Sequence, residues 1–263
     1  MQILVVNDDG PPSGVSPYFL PFVEALQSHG HGTHVVIPDK PLSWIGKAHA
    51  FGKSLTARHV CPSTYTQSQK CSADDQPECI KHSWTVLDGS PASCTQIGLF
   101  HSEWLAEDID LVVSGPNHGR NASTIYNLSS GTVGGALEGA LCGKRSISLS
   151  FGSKDPQPEA IVGAACDRAV SLIEMLYRRW DPEVELYNIN IPMIETIDKC
   201  PAVFTVPCPT YWSRGSLFAE DKSSSNSFER QFRWAPELSE IQQAAKRSSE
   251  GEDLWPSQNG VIS

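Results

Sequence analysis

Gln2-Ile3-Leu4-Val5-Val6-Asn7-Asp8-Asp9-Gly10 opens the chain and decides how the rest is read. The uninterrupted apolar run from Ile3 to Val6 suits a strand buried on both faces. Such a strand delivers the adjacent carboxylates of Asp8 and Asp9 to its C-terminal edge, and Gly10 lets the chain turn sharply there. In an open α/β sheet this is the edge where ligands bind. Two neighbouring carboxylates repel each other unless a cation lies between them, so the pair reads as half of a hard-metal site. Taken alone, Asn7-Asp8-Asp9-Gly10 also fits an ordinary solvated turn.

The residues that follow supply a parallel sheet. Ser16 and Pro17 resemble an N-cap and first helical residue, and Phe19, Phe22, Val23 and Leu26 keep helical spacing until His29-Gly30-His31-Gly32 stops it. Residues 33–38 read as a second strand, which makes a βαβ unit with a right-handed crossover. His29, His31 and His34 then fall on the edge opposite the Asp pair, where a solvated turn is expected. The loop from Asp39 through Ser43, Lys47 and His49 rises on the same edge as Asp8 and Asp9. Residues 52–83 form a polar excursion without helical period. Further strands are expected at 83–88, 110–114, 145–151 and 184–191. Helices are expected from Ser90-Pro91, with Ile97, Phe100, Trp104 and Leu105 on one face, from Val133 and from Pro158. Residues 1–195 thus read as one α/β domain, and 196–263 as a partly extended C-terminal arm that packs on the core or on a neighbouring subunit.

Composition narrows the partners. Lys and Arg number 20 against 30 Asp and Glu, a net charge of −10, which argues against binding to nucleic-acid polymers or anionic membranes. No apolar run is long enough for a membrane span, and the chain enters its first strand at residue 2, so a cytoplasmic location is expected. The eight cysteines form no CxxC pair. Cys61, Cys71 and Cys79, with His59 and His82, could bind zinc or pair as disulfides, but their spacing matches no zinc template.

Three loops converge on one sheet edge: the Asp8-Asp9 turn, the Ser43 loop, and the turn Ser114-Gly115-Pro116-Asn117-His118-Gly119-Arg120-Asn121. Carboxylates, a hydroxyl and an amide carbonyl are oxygen donors, the set that suits magnesium, manganese or calcium. Ser129-Ser130-Gly131-Thr132 stands directly ahead of a helix, where free N–H groups and the helix dipole favour an anion. That pattern is a phosphate cradle in outline and also an ordinary helix cap. Metal beside phosphate points to phosphoryl chemistry.

These motifs, with Asp88-Gly89-Ser90-Pro91-Ala92-Ser93-Cys94 between them and Glu138 after them, resemble the SurE survival-protein family of metal-dependent phosphatases and nucleotidases, in its fungal or eukaryotic branch. The resemblance covers residues 1–150 and keeps the family's motif order. It implies a Rossmann-like three-layer sandwich with a mostly parallel sheet, and oligomerisation as a dimer or tetramer through the C-terminal arm. It also implies a divalent metal, Mg²⁺ or Mn²⁺ with Ca²⁺ as a further occupant, held by Asp8, Asp9, Ser43 and Asn117. Asp8, Asp9 and Asn117 would be catalytic, with Asp9 favoured to accept or orient the proton of an attacking water. Asn121, Ser130, Gly131 and Thr132 would face the phosphate of a small ester, commonly a nucleoside monophosphate. Lys47 and His49 are further candidates for phosphate contact and leaving-group protonation. Two rival readings stay open at this point: a hydrolase of specialised metabolism acting on a larger phosphorylated or other ester, and a catalytically silent nucleotide-binding protein. Arg120-Asn121-Ala122-Ser123 replaces the acidic residues of the bacterial form and leaves the substrate unassigned.

Overall fold

The structure, a computed structural model, describes residues 1–62, 83–102, 109–153, 155–213, 215–221 and 229–263. Strand β1 (Gln2–Val6) lies inside a seven-stranded sheet, with Ile3, Leu4, Val5 and Val6 all fully buried. It pairs in parallel with β2 (Gly32–Pro38) on one side and β5 (Leu111–His118) on the other. β4 (Trp84–Leu87) extends the sheet beyond β2, and β6 (Ser146–Phe151) and β7 (Leu186–Ile191) extend it beyond β5, all in parallel. Only β3 (Ala57–Val60), at the edge beside β4, runs antiparallel among the described strands of this sheet.

The sheet order β3-β4-β2-β1-β5-β6-β7 reverses direction between β1 and β5. Chain connections leave β1 and β5 toward opposite sides, which opens a crevice beyond their carboxyl ends. Side chains of β1 alternate between two cores. Ile3 and Val5 join the layer containing α1 (Phe19–Ser28) and α5 (Glu159–Arg178), through Phe19, Phe22, Leu26, Ala165, Ala169 and Ile173. Leu4 and Val6 face the other layer, where α2 (Pro91–Phe100) packs against α4 (Gly131–Leu141), a pairing made close by small residues on both helices. The result is a three-layer α/β/α sandwich. Ser90 caps α2 by accepting from the Ser93 N–H at 3.1 Å, as its Ser-Pro start suggests.

The expected strands and helices are present, but α1 starts at Phe19 without a Ser16 cap, the Ser16 hydroxyl donating instead to the Gly10 carbonyl at 3.1 Å, and α2 ends at Phe100. Two further differences matter. Strand β5 does not stop at Ser114 but continues through the special turn to His118, with one extra residue between Ser114 and Asn117 relative to β6. That bulge re-aims the end of the strand. The C-terminal arm folds back on its own chain. Asn190 and Ser263 exchange backbone hydrogen bonds, while the Asp253 carboxylate accepts from the Ser123 N–H at 2.7 Å and the Cys208 N–H at 2.8 Å. The arm also carries a hairpin, β8 (Phe218–Asp221) with β9 (Gln231–Trp234), and the helices α6 (Ser239–Arg247) and α7 (Leu254–Asn259). Trp104, Leu105, Cys71, Cys79, His82 and most of the 52–83 excursion lie outside the described residues. Cys61 is disulfide-bonded, and Cys94, Cys142, Cys166, Cys200 and Cys208 are free. Among the described residues no helix is long and apolar enough to cross a membrane.

Candidate active site at the carboxyl edge of the sheet

The loop after β1 is set by Asn7, whose side-chain amide donates to the Gly10 carbonyl at 2.7 Å and whose Oδ1 accepts from the Gly10 N–H at 3.2 Å. Gly10 completes the turn at φ +76°. Backbone hydrogen bonds then tie the converging loops together. Leu42 N–H donates to the Asp8 carbonyl at 2.8 Å, and Gly46 N–H to the Ser129 carbonyl at 2.8 Å. His118 N–H donates to Asp9 Oδ2 at 2.7 Å. The loops after β1, β2 and β5 and the start of α4 are therefore one bonded unit.

Between them lies a cleft of about 260 Å³, lined among others by Asp8, Ser43, Trp44, Asn117, Asn121 and Ser130. Five of the residues singled out in the sequence thus meet there. Asn117 spends its amide N–H on the Gly119 carbonyl at 2.5 Å, leaving its side-chain carbonyl as the available donor atom. Ser130 caps α4 by accepting from the Val133 N–H at 3.1 Å, and its own hydroxyl proton stays available. Asn121 lines the cleft from a well-held backbone. Its N–H reaches Asn190 Oδ1 at 2.8 Å and its side-chain amide reaches Ser150 Oγ at 3.0 Å.

The remaining sequence candidates are placed differently. Thr132 is fully buried and does not line the cleft; its hydroxyl donates to Asp8 Oδ1 at 2.5 Å. Gly131 brings the start of α4 so close that a Cβ there would lie 2.8 Å from Asp8 Cβ. The N-terminus of α4 is therefore turned on a carboxylate of the chain itself, and of the Ser130-Gly131-Thr132 trio only Ser130 reaches the cleft. Asp9, next to Asp8 and 6% exposed, is not among the cleft-lining residues; its Oδ2 accepts from the His118 N–H. Lys47 and His49 both turn to Glu138 Oε2, at 2.6 and 3.2 Å, and His49 Nδ1 also meets Ser93 Oγ at 3.1 Å. They lock the Ser43 loop onto α4 instead of lining the cleft.

Electrostatics sets the two acidic groups apart. Burial lifts the Asp8 carboxyl to about 6, against the opposing pull of the Thr132 hydroxyl and nearby backbone N–H groups. Burial also works to raise Glu138, but hydrogen bonds from Gln96, Lys47 and His49 outweigh it and hold the group below the ordinary range. Glu138 is thus a fully partnered anion, whereas Asp8 is a buried carboxylate held, among the described residues, by the Thr132 hydroxyl and backbone N–H groups instead of by a cationic side chain. Sequence reasoning passed over His118, Arg120, Tyr126 and Trp44 as cleft residues. The first two stood in the quoted turn and the last followed Ser43 directly, so adjacency to a ligand candidate was the available signal.

A family model described as survival protein SurE matches residues 3–213. The chain belongs to the SurE family. A Saccharomyces cerevisiae relative named probable tubulin–tyrosine ligase PBY1 is 34% identical over 274 residues, covering 90% of this chain and 36% of that protein. The chain thus spans about a third of the yeast relative's length, and that name describes the larger protein. A relative from Synechococcus sp. strain CC9902 named 5'-nucleotidase SurE is 30% identical over 265 residues, covering 98% of this chain and 84% of that one. The crystal structure of the SurE protein from Aquifex aeolicus superposes with a TM-score of 0.70 at 26% identity, across 100% of this chain and 91% of that one. The α/β sandwich described above is therefore the SurE fold.

Proposed function

We propose that the chain is a phosphomonoester hydrolase that uses a divalent cation and acts on nucleoside monophosphates or similarly small esters. The observation that carries this reading is the grouping of Asp8, Ser43, Asn117 and Ser130 around one cleft at the switch point of the sheet. SurE relatives named 5'-nucleotidase support it. The donor set fits the cation. Asp8 is a buried carboxylate, one oxygen of which is engaged by Thr132, and the Ser43 hydroxyl and Asn117 carbonyl add hard oxygen donors. Asp9, next in the chain, would complete the set.

When bound, a divalent cation lowers the pKa of a ligated water and offsets charge on the phosphate. The chain's own residues do the rest. Thr132 and the start of α4 fix the Asp8 carboxylate in one orientation, and His118 N–H does the same for Asp9. The Ser130 hydroxyl, at the mouth of α4, is free to donate to a phosphate oxygen, with Ser43 and Asn121 lining the same space. The water oxygen bonds to phosphorus as the ester P–O bond breaks, and the alcohol leaves with the proton. A cleft of about 260 Å³, just below the roughly 300–1,000 Å³ of typical small-ligand sites, favours a small ester over a large metabolite.

The test is phosphate release from p-nitrophenyl phosphate and a panel of nucleoside monophosphates with Mg²⁺ or Mn²⁺. D8N should abolish release, and EDTA should do so reversibly. Full turnover in D8N or in EDTA would overturn the reading. Nucleotide binding without turnover by the wild type would mark a silent binding protein.

A further inference from the structure

Trp44 follows the candidate ligand Ser43, and Tyr126 lies in α3 (Thr124–Ser129), the helix that leads into Ser130. Both line the candidate cleft. Trp44 is also the hub of an aromatic assembly drawn from distant parts of the chain. Its ring lies 5.8 Å from Tyr126, 6.2 Å from Trp212 and 5.3 Å from Trp234, inclined to them by 65°, 40° and 68°. Phe218, opposite Trp234 in the hairpin, adds an edge contact at 5.4 Å. None of these rings belongs to the buried core clusters of the described residues.

Rings recruited only for packing would be expected to be sealed. Here Trp234 is 47% exposed and Phe218 50%, and Trp44 and Tyr126 are half-buried. Trp44 also holds φ +64°, a left-handed conformation that a bulky side chain adopts only where its surroundings impose it. The strain places an indole at the cleft directly beside Ser43.

We propose that Trp44 and Tyr126 form a subsite for a planar aromatic leaving group at the mouth of the cleft, with Trp212 and Trp234 fixing the position of Trp44. The proposal rests on the phosphatase reading and names the part of the ester that this chain selects. The phosphate end is polar, and the adjoining wall offers aromatic faces and edges, which suit a nucleobase or an aryl group better than a flexible polyol. The C-terminal arm thereby contributes to specificity from outside the cleft lining.

The decisive measurement is a ratio. With the full chain and Mn²⁺, kcat/KM is determined for two aromatic esters, 5'-AMP and 1-naphthyl phosphate, and for two aliphatic ones, glycerol 2-phosphate and ribose 5-phosphate. In W44A the aromatic-to-aliphatic ratio should fall about tenfold or more, as expected on removing one stacking ring, chiefly through KM. W44F should keep most of it, and W234A should lower it in the same direction while leaving the cleft lining intact. A parallel arm records saturation-transfer NMR of adenosine, which carries no phosphate. Its base protons should respond with wild type and lose the response with W44A and W234A, thermal melts certifying that each variant is folded. An unchanged ratio, or an adenosine response that persists in folded W44A, would overturn the subsite. If wild type hydrolyses none of the esters, the phosphatase reading fails, while the adenosine arm still decides whether the rings bind a planar group.

Discussion

Asp8 is an anion buried at the start of a helix, and its partners define what can be measured. A hydrogen bond to a charged group contributes about 1.5–3 kcal/mol, so T132V should raise the Mn²⁺ concentration needed for half-maximal activity about tenfold or more. T132S, which keeps the hydroxyl, should stay near wild type, and equal metal titrations for the two variants would remove Thr132 from the site. Protonation gives a second handle. Burial raises the Asp8 carboxyl from its ordinary 3.8 to about 6, so the folded protein without metal holds this proton more tightly than the unfolded chain. The associated stability is full below pH 3.8 and is lost as pH rises through about 6. Urea titrations in chelator should show wild-type stability falling relative to D8N across that window, and excess divalent cation should restore it at pH 7. A difference that is flat with pH would contradict the placement of Asp8. The carboxylate pair was legible in the sequence because it follows an apolar run with only Asn7 between. That Thr132 serves Asp8 instead of the cleft was not legible, since a hydroxyl at a helix start reads the same whichever anion it meets.

Between elements, closeness is set by glycines whose roles differ. Gly134 in α4 faces the Ser43 loop, where a Cβ would lie 2.5 Å from the Gly46 carbonyl oxygen and 2.9 Å from Lys47 Cα. Both are backbone atoms, so the loop itself would have to move. G134A should cost about 1–3 kcal/mol and depress activity with it. Gly163 in α5 has nothing within 4 Å of such a Cβ, and G163A should stabilise the protein by about 0.5–1 kcal/mol. Parallel denaturant melts read both signs, and a neutral G134A would mean that the loop is not braced by α4. Helix and strand positions were legible from period alone, as with Phe19, Phe22, Val23 and Leu26. The continuation of β5 to His118 was hidden because Gly115 and Pro116 punctuate a strand as they would a turn.

Across the whole molecule, the C-terminal arm resisted reading because, apart from the helical stretch that becomes α6, it has no sustained period; its order comes from tertiary partners. Asp253, 5% exposed, accepts backbone N–H groups of Ser123 and Cys208 with separate oxygens. D253N would leave one of those buried N–H groups facing an amide N–H, costing about 1–3 kcal/mol. Thermal and urea melts should show that loss together with weaker adenosine binding, because Ser123 precedes the helix that carries Tyr126. A variant as stable as wild type would mean that the arm contributes little to holding the core. The aromatic assembly was equally illegible: Trp44, Tyr126, Trp212 and Trp234 share no spacing, and only the folded chain brings them together.

The central position of β1 has a consequence in time. Its register partner across the switch point, Ser114 for Val6, comes 114 − 6 = 108 residues later in the chain. At about 5–20 residues per second of synthesis, the opening strand waits on the order of 5–20 s for that neighbour. Through that interval Asp8 and Asp9 lack their partners Thr132 and His118, which have yet to be made. Assembly of the cleft is thus a late event in the chain's biogenesis, and ribosome-bound chains ending before residue 111 should hold β1 accessible to chaperones and proteases.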